Sequence, residues 1–443
     1  MLAIENTRIA GREGKSAPKS IAVIGAGYAG CAAAVELADQ GHQVVLFEAS
    51  RSLGGRARAV PSAECLDNGQ HILVGAYAET LGLMRRVGAD PDRLLLSLPL
   101  TLCFPGHLEL RAPRLPAPLH MAVALLGARG LSWREKLAAV RLMQVLKRHR
   151  FRLEQDDTVA ELLRRLKQPA RLIHLLWEPL CVAALNTPAG AASAQVFANV
   201  LRDTLAGGRS ASDLLLPRCD LSTLFPKPAT DYLRTRGGEL RLSTAVRSLE
   251  PLEDGRWQLA GQGWREDFDA VVLAVAPHHA EALLPRRPEL AEARARLAGL
   301  EYEPIVTCYL RYGEAVSLPR PMIGLDGGYA QWVFDRRALL GQGETVFAAV
   351  ISASGRHREL PADALAAAIH AEIQSVAGPL PPPLWHRVIT EKRATFACRP
   401  NLRRPGMESG LPGLLLCGDY VASDYPATLE SAVRSGLACA RAL

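Results

Sequence analysis

The sequence contains no closely spaced pair of cysteines. Its nine cysteines are scattered from Cys31 to Cys439 without a C-x-x-C pair, and an odd count in a chain of 443 residues is typical of reduced, mostly buried thiols. The eleven histidines form neither an H-x-x-x-H nor an H-E-x-x-H arrangement. We expect the adjacent His278 and His279 to form a surface turn after Pro277. The sequence therefore predicts no metal site.

Long uncharged apolar runs are also missing. No stretch of about 18 such residues occurs, so we expect no membrane-spanning helix. The first 18 residues carry five charged side chains and no apolar core, which argues against a secretory signal. These absences predict a cytoplasmic protein, and the chain is long enough for two domains with substantial cores.

Positive charge is in excess and unevenly distributed. The formal net charge is +7, and basic residues are densest between Arg129 and Arg150, directly after the apolar run from Leu115 to Leu126. Aromatic residues that would stack on bases do not alternate with these cations, so we expect no nucleic-acid partner. Basic charge beside an apolar run predicts a helix that lies on an anionic membrane surface, at the inner face of the cell membrane. An ordinary amphipathic helix with a solvated basic face is the alternative.

Three glycines follow a short apolar run near the start of the chain. Ile21 to Ile24 is suited to a buried strand, and Gly25, Gly27 and Gly30 follow with G-x-G-x-x-G spacing. In a dinucleotide site the first glycine permits the tight turn, the second lets a pyrophosphate approach the backbone, and the third lets the helix pack on the strand. The motif alone is weak, because glycine-rich turns also serve packing.

The residues after the three glycines complete a strand, helix, strand unit. A helix from about Ala29 to Gln40 would end at Gly41, with its first N–H groups directed at phosphates. The strand Gln43 to Phe47 then delivers Glu48, which follows Gly30 by 18 residues. That spacing is typical of the acid that accepts hydrogen bonds from an adenosine ribose. The unit therefore predicts a dinucleotide site.

A second glycine turn distinguishes FAD from NAD. The motif R-x-x-G-G-R follows the acidic residue and comprises Arg51, Gly54, Gly55 and Arg56. Its backbone and a guanidinium would contact a second face of the pyrophosphate. This combination resembles the superfamily of FAD-containing amine oxidases and phytoene desaturases, in which the double glycine holds the flavin. In that superfamily a valine at the position of Val246 offers its backbone to the adenine.

The last landmark is the segment from Leu414 to Gly436. A buried strand ends at Gly418 and Asp419, whose carboxylate would bond the ribityl or pyrophosphate region. Thr428 and Leu429 then begin a helix whose N-terminus would face the flavin and stabilise negative charge on the reduced ring. The fold class is therefore α/β, with a discontinuous Rossmann-like FAD-binding domain (residues 1–75, 236–300 and 390–443). A mixed, largely helical substrate domain comprises residues 76–235 and 301–389, including a helical insertion from Leu81 to about Tyr232.

Two further stretches are more specific. LDNGQHILVGAY at residues 66–77 and WEPLCVAALNTP at residues 177–188 resemble the same segments of hydroxysqualene dehydroxylases. The resemblance implies hydroxysqualene, a linear triterpene, as the substrate, reduced flavin as the hydride donor and an apolar tunnel. No second dinucleotide motif occurs, so we expect a separate electron donor of unknown identity. Carotenoid desaturation, amine oxidation with Tyr420 and Tyr425 flanking the flavin, and a non-catalytic flavin-binding scaffold in a terpenoid complex are the alternatives.

Two pairs of residues compete to activate the leaving hydroxyl. His71 follows the D-N-G turn, and a histidine that changes charge near pH 6.5 suits a general acid, with Gln70 orienting the same oxygen. The rival pair is Asn186 and Thr187, polar residues on an otherwise apolar run, for which a substrate hydroxyl would be the hydrogen-bond partner that buried polar groups need.

Overall fold

A computed structural model describes residues 17–62, 65–313, 315–341 and 343–443. The charged amino-terminal residues on which the prediction of no secretory signal rests lie outside the described residues. Within the described ranges, no helix is both long and apolar enough to cross a bilayer.

The described part of the chain alternates strands and helices. The strands are β1 Ser20–Ile24, β2 Gln43–Phe47, β3 Leu73–Val74, β4 Leu95–Leu98, β5 Thr101–Phe104, β6 Leu108–Arg111, β7 Leu214–Pro217, β8 Glu239–Arg241, β9 Ser248–Pro251, β10 Trp257–Gly261, β11 Trp264–Phe268, β12 Ala270–Leu273, β13 Tyr302–Tyr312, β14 Met322–Gly324, β15 Trp332–Asp335, β16 Thr345–Ser352, β17 Trp385–Phe396 and β18 Leu414–Leu416. The α-helices are α1 Tyr28–Gln40, α2 Ala78–Arg86, α3 Pro91–Leu94, α4 Leu119–Gly127, α5 Trp133–Arg148, α6 Val159–Arg165, α7 Ala170–Leu172, α8 Glu178–Leu185, α9 Ala194–Thr204, α10 Leu221–Leu224, α11 Pro226–Thr235, α12 Pro277–Leu283, α13 Ala291–Ala298, α14 Arg336–Leu340, α15 Ala362–Ala377 and α16 Leu429–Arg441. A π-helical turn, Ile173–Trp177, joins α7 to α8, and 3₁₀ turns span Arg209–Ser212, Pro288–Leu290 and Arg356–Glu359.

The first sheet is parallel and has the order β18-β12-β1-β2-β8. Strands β1, β12 and β18 are apolar and almost fully buried, as expected of strands covered on both faces. The alanine-rich α1 crosses from β1 to β2 and ends at Gly41, whose φ of +93° closes the helix. Helix α16 packs directly on α1, where a β-carbon at Gly436 would clash with the carbonyl oxygen of Ala29. The predicted α/β class is confirmed.

The second large sheet is antiparallel, with the order β14-β15-β16-β13-β17, and α15 covers part of it. Strand β17 runs through the predicted domain boundary between residues 389 and 390. It stays paired with β13 as far as Phe396, so the chain leaves this sheet about seven residues later than predicted.

The prediction of a helical insertion from Leu81 to Tyr232 is wrong in part. This segment contains most of the shorter helices, but also the strands β4, β5, β6 and β7. Leu100, Leu102 and Phe104 are buried at every second position, which is the period of a strand rather than of a helix. The leucine-rich composition concealed this short alternation.

Candidate functional site

The three glycines after β1 have different local requirements. Gly25 has a φ of +105°, and a β-carbon there would lie 2.6 Å from the carbonyl oxygen of Ala274. A β-carbon at Gly30 would clash with the carbonyl oxygen of Gly25, so the fold itself requires both glycines. Gly27 differs, because a β-carbon there would meet only the α-carbon of Gly55, at 3.9 Å. The space beside Gly27 is therefore open to a ligand.

The second glycine turn lies against the first. Gly54 and Gly55 have φ values of +110° and +61°, which favour glycine. The Gly54 N–H donates to the carbonyl oxygen of Ala26 at 2.9 Å. Because Gly27 and Gly54 form a β-bridge, the two turns make one continuous backbone cradle.

Glu48 lies at the end of β2, as the spacing predicted. Its carboxylate accepts hydrogen bonds from the N–H groups of Ala26, at 2.8 Å, and Ser50, at 2.9 Å. These bonds fix the carboxylate beside the glycine turn. Val246 lines the same cavity. Two residues earlier, the N–H of Thr244 donates to the carbonyl oxygen of Glu48, which holds this segment beside the end of β2.

Arg56 and Asp419 form an ion pair across the cradle, although the sequence assigned each of them separately to the cofactor. The Arg56 guanidinium lies 2.6 Å from the Asp419 carboxylate and also donates to the carbonyl oxygen of Ala394 at 2.7 Å. Burial is the largest effect and lowers the pKa of Arg56, but the charge of Asp419, the hydrogen bond to it and the charge of Glu391 together outweigh burial, so the pKa is raised. Gly418, with a φ of +155°, directs the chain into this corner.

The N-terminus of α16 lines the cavity at its other side. Thr428 caps the helix by accepting a hydrogen bond from the N–H of Ser431, and Leu429 is its first residue. Glu430 is buried, accepts bonds from the N–H and hydroxyl of Thr80, and forms an ion pair with Arg434. The first turn of α16 can thus face an electron-rich ring.

One cavity of about 1580 Å³ joins all these elements. Beyond the cradle its walls become apolar, with residues Leu100, Leu102, Leu180, Phe197, Val200, Leu201, Leu214, Met322, Trp332 and Phe334. The open space at Gly27, the carboxylate of Glu48 and the N-terminus of α16 are features that FAD would fit. The remaining apolar volume is available to a second, water-insoluble molecule.

His71 and Gln70 both line the cavity. The His71 Nδ1 atom is 2.9 Å from the carbonyl oxygen of Gly69, which leaves Nε2 available to a ligand. Burial lowers the pKa of His71, the hydrogen bond to Gly69 raises it, and the charge of Arg56 lowers it again. The net effect is a lowered pKa, so the expectation of a charge change near pH 6.5 is wrong.

Gln70 is held by the protein. Its side-chain oxygen accepts a hydrogen bond at 2.8 Å from Arg336, a buried residue from the antiparallel-sheet region. Arg336 also lies 3.6 Å from Asp67. Burial raises the pKa of Asp67 to about 7, and the guanidinium opposes that rise. Arg336 was not identified from the sequence, because its partners are more than 260 residues away.

Asn186 and Thr187 have protein partners in place of the expected substrate hydroxyl. The Asn186 amide donates to the Thr395 hydroxyl at 2.9 Å, and its oxygen accepts from the N–H of Ala353 at 2.8 Å. The Thr187 hydroxyl donates to the carbonyl oxygen of Leu185 and accepts from the N–H of Cys398, both at 3.0 Å. The inference that these groups need a substrate hydroxyl is therefore wrong.

The structure also corrects the interpretation of the two adjacent histidines. His278 and His279 belong to the first turn of α12 and line the main cavity instead of forming a surface turn. The available signal was their position directly after β12, because ligands bind at the carboxyl ends of parallel strands. Within the described residues, no group of three or more histidine, cysteine or acidic side chains is placed to hold a metal ion.

Comparisons with known proteins agree with this site. The model of the flavin-containing amine oxidoreductase family matches residues 28–443. A hydroxysqualene dehydroxylase from Rhodopseudomonas palustris is 32% identical over 94% of this chain and 96% of the relative, and one from Sinorhizobium fredii is 30% identical over 95% and 97%. Among solved structures, cyclohexylamine oxidase from Brevibacterium oxydans has a TM-score of 0.67 and 18% identity, over 96% of this chain and 98% of that one, which shows the shared fold. The chain is therefore an FAD-dependent oxidoreductase that belongs to the flavin-containing amine oxidoreductase family and, within it, groups with the hydroxysqualene dehydroxylases.

Proposed function

We propose that the protein catalyses the reductive dehydroxylation of hydroxysqualene to squalene. The observation that carries this proposal is the single cavity, which joins the predicted FAD cradle to a long apolar wall. Reduced FAD, when bound, supplies a hydride. The hydroxyl of hydroxysqualene is allylic, so its protonation lets water leave toward a delocalised carbocation that accepts the hydride.

The apolar walls bind the hydrocarbon and exclude water. Each buried methylene contributes about 0.8 kcal/mol, so a substrate of roughly thirty carbons is drawn strongly out of water. Exclusion of water also protects the allylic cation from being recaptured before the hydride arrives. His71 supports the polar step, because it lines the cavity and its Nδ1 atom is bonded to the Gly69 carbonyl oxygen, which leaves Nε2 to deliver a proton to the leaving oxygen. Gln70 is held through its side-chain oxygen by Arg336, and its amide group is assigned to orienting the same leaving oxygen.

Amine oxidation has less support at this site. An aromatic cage needs two ring faces open to the substrate. The Tyr420 ring is buried against the backbone of Gly418, and the guanidinium of Arg434 lies 4.8 Å from the centre of the Tyr425 ring. Tyr420 therefore presents little ring surface to an amine, and one face of Tyr425 is covered.

Product analysis tests the proposal directly. Purified FAD-loaded protein, chemically reduced under anaerobic conditions, should convert hydroxysqualene into squalene with loss of one water. Parallel reactions of oxidised enzyme with phytoene and with a primary amine test desaturation and amine oxidation. Squalene formation only in the presence of another protein would favour the scaffold alternative, and product from phytoene alone would overturn the assignment.

We also propose that helices α4 and α5 attach the protein to the membrane that holds its substrate. Large apolar side chains that are more than a third exposed cluster on and beside these helices, namely Leu115, Leu119, Val123, Leu126, Trp133, Leu137, Val140 and Val145. On α4, and on α5 from Trp133 to Val140, they recur at every third or fourth position, so each helix presents an outward apolar stripe. The basic residues beside them are exposed except for Lys136, which is buried and donates to the carbonyl oxygen of Leu126.

Removal of exposed positive charge from this surface should weaken binding to anionic vesicles. Each charge near the surface contributes up to about 1 kcal/mol, so replacing Arg141, Lys147, Arg148 and Arg150 by glutamine should lower the partition coefficient at low salt by about tenfold or more. The measurement is co-sedimentation with phosphatidylserine vesicles over a range of salt concentrations.

A matched variant removes the same charge elsewhere. Four arginines that are exposed and lie outside these helices, Arg286, Arg287, Arg358 and Arg403, provide that control. Replacing them by glutamine should leave vesicle binding largely unchanged. Equal losses of vesicle binding in both variants would show that binding depends on net charge and not on this surface. Failure of the wild type to sediment at low salt would refute the membrane contact.

A further inference from the structure

His278 occupies a central position at the ligand-binding edge of the parallel sheet. Helix α12 follows β12, which lies between β1 and β18 in the sheet. These neighbours deliver the glycine cradle and Asp419. His278 is half-buried and lines the same cavity as Gly27 and Arg56. It therefore lies at the strand ends where the diphosphate of a dinucleotide would bind.

The His278 ring has an unmet hydrogen-bonding requirement. Its Nδ1 atom is buried and has no hydrogen-bond partner among the described residues. The ring contacts are with His279, whose ring centre is 4.1 Å away, and with the edge of Tyr302 at 6.3 Å. A buried polar nitrogen without a partner is costly, and a ligand atom that pairs with it removes the cost.

The charged side chains around His278 are balanced in number, but one of the cations has no ion-pair partner. His279 lies on the same helix, Arg393 and Glu391 come from β17, and Arg56 comes from the second glycine turn. Asp419 pairs with Arg56, and Glu391 accepts a hydrogen bond from the Asn68 amide at 2.9 Å. The Arg393 guanidinium is over the Tyr302 ring, and no described carboxylate forms an ion pair with it. Arg393 is therefore available to an anion that reaches His278.

We propose that His278 is a ligand of the FAD diphosphate and takes up a proton when FAD binds. The proposal rests on FAD as the cofactor and is independent of the hydroxysqualene reaction. Without the diphosphate, burial and then the charges of His279, Arg393 and Arg56 lower the pKa of His278 to about 4. The diphosphate brings two negative charges to the same place, so the imidazolium becomes the favoured form. No bond is made or broken in this step, and the proton comes from solvent.

The sign of the pH dependence follows from linkage. His278 is neutral above about pH 4 in the protein without FAD. Because the charge of bound FAD raises this pKa, FAD binds more tightly below the raised pKa and is lost more readily as the pH rises through it. The dissociation constant of FAD should then increase about tenfold between about pH 6 and about pH 8.5. Release of fluorescent FAD from diluted holoenzyme measures this change.

Two variants with the same substitution separate His278 from its neighbour. In His278→Gln the dissociation constant at pH 6 should be about tenfold higher than in wild type, and the pH dependence should disappear. His279→Gln should keep a pH dependence, with its midpoint at a higher pH, because a charge on His279 lowers the pKa of His278. A pH dependence that persists in His278→Gln, or that disappears in His279→Gln, overturns the proposal.

A direct titration keeps the test independent of protein stability. In the wild-type holoenzyme labelled at histidine, the resonance that is absent from His278→Gln should titrate with a pKa above 6.5. A holoenzyme in which that resonance titrates near pH 4 would show that the diphosphate does not reach His278. Melting curves of both variants confirm that the proteins compared are folded.

Discussion

Replacing Gly27 by leucine should give a folded protein that retains almost no FAD. The space beside Gly27 is open in the fold, because the nearest atom to a β-carbon there is the Gly55 α-carbon at 3.9 Å. A leucine side chain would fill the space that the diphosphate needs and separate it from the backbone N–H groups. Loss of two charge-assisted hydrogen bonds at about 1.5 kcal/mol each weakens binding by about 100-fold. Flavin absorbance per mole of purified protein measures the loss.

The neighbouring glycines provide the contrast. Gly27→Ala should remain folded and keep part of its flavin, since an added methyl group meets only ordinary contact distances. Gly30→Ala should lower the melting temperature instead, because its β-carbon would clash with the carbonyl oxygen of Gly25. A Gly27→Leu protein that is purified with a full complement of flavin would refute the placement of the diphosphate at this turn.

The cofactor half of the site could be predicted because its signals are local. Strand β1, helix α1 and strand β2 lie within residues 20–47, and each of their boundaries has a turn residue or a change of hydrophobic period. Glu48 follows at a fixed distance. The geometry of a strand, helix, strand unit then brings these residues together without information from the rest of the chain.

The substrate half could not be predicted in the same way, because its contacts join distant segments. The Asn186 amide bonds a residue 209 positions away, and the N–H that bonds Thr187 is 211 positions away. From the sequence alone, each was predicted to form its hydrogen bond with a substrate. Their protein partners became visible only when β13, β16 and β17 were placed against α8.

Residues that are distant in the sequence also determine the pKa values and ion pairs of the site. The sequence predicts an ordinary histidine at position 71, whereas its burial and the approach of Arg56 lower the pKa of the imidazole. Likewise, Arg56 and Asp419 were assigned to the cofactor separately, although they are 363 residues apart and form an ion pair. A pKa depends on what surrounds a group in space, and sequence spacing gives little information on that.

His71→Ala should bind FAD and squalene normally but lose about 100-fold or more in the rate of a single turnover. This is the usual range for removal of a general acid. His71 is not part of the glycine cradle, and its Nδ1 bond goes to the carbonyl oxygen of Gly69, so the alanine variant should keep the cofactor site. Rapid mixing of reduced holoenzyme with hydroxysqualene, followed by quantification of squalene, gives the rate.

The pH profile distinguishes a proton donor from a residue that only shapes the cavity. Because the pKa of His71 is lowered, the imidazolium is present only below the usual range of a histidine. The wild-type single-turnover rate should therefore rise as the pH falls below about 6.5, and the rate of His71→Ala should not change over the same range. His71→Gln retains a polar group without a transferable proton and should resemble the alanine variant. A His71→Ala protein with normal FAD content and a near wild-type rate would remove His71 from the mechanism. Because Asn186 and Thr187 already have protein partners, ionisation of the allylic hydroxyl would then proceed without a side-chain acid from either predicted pair.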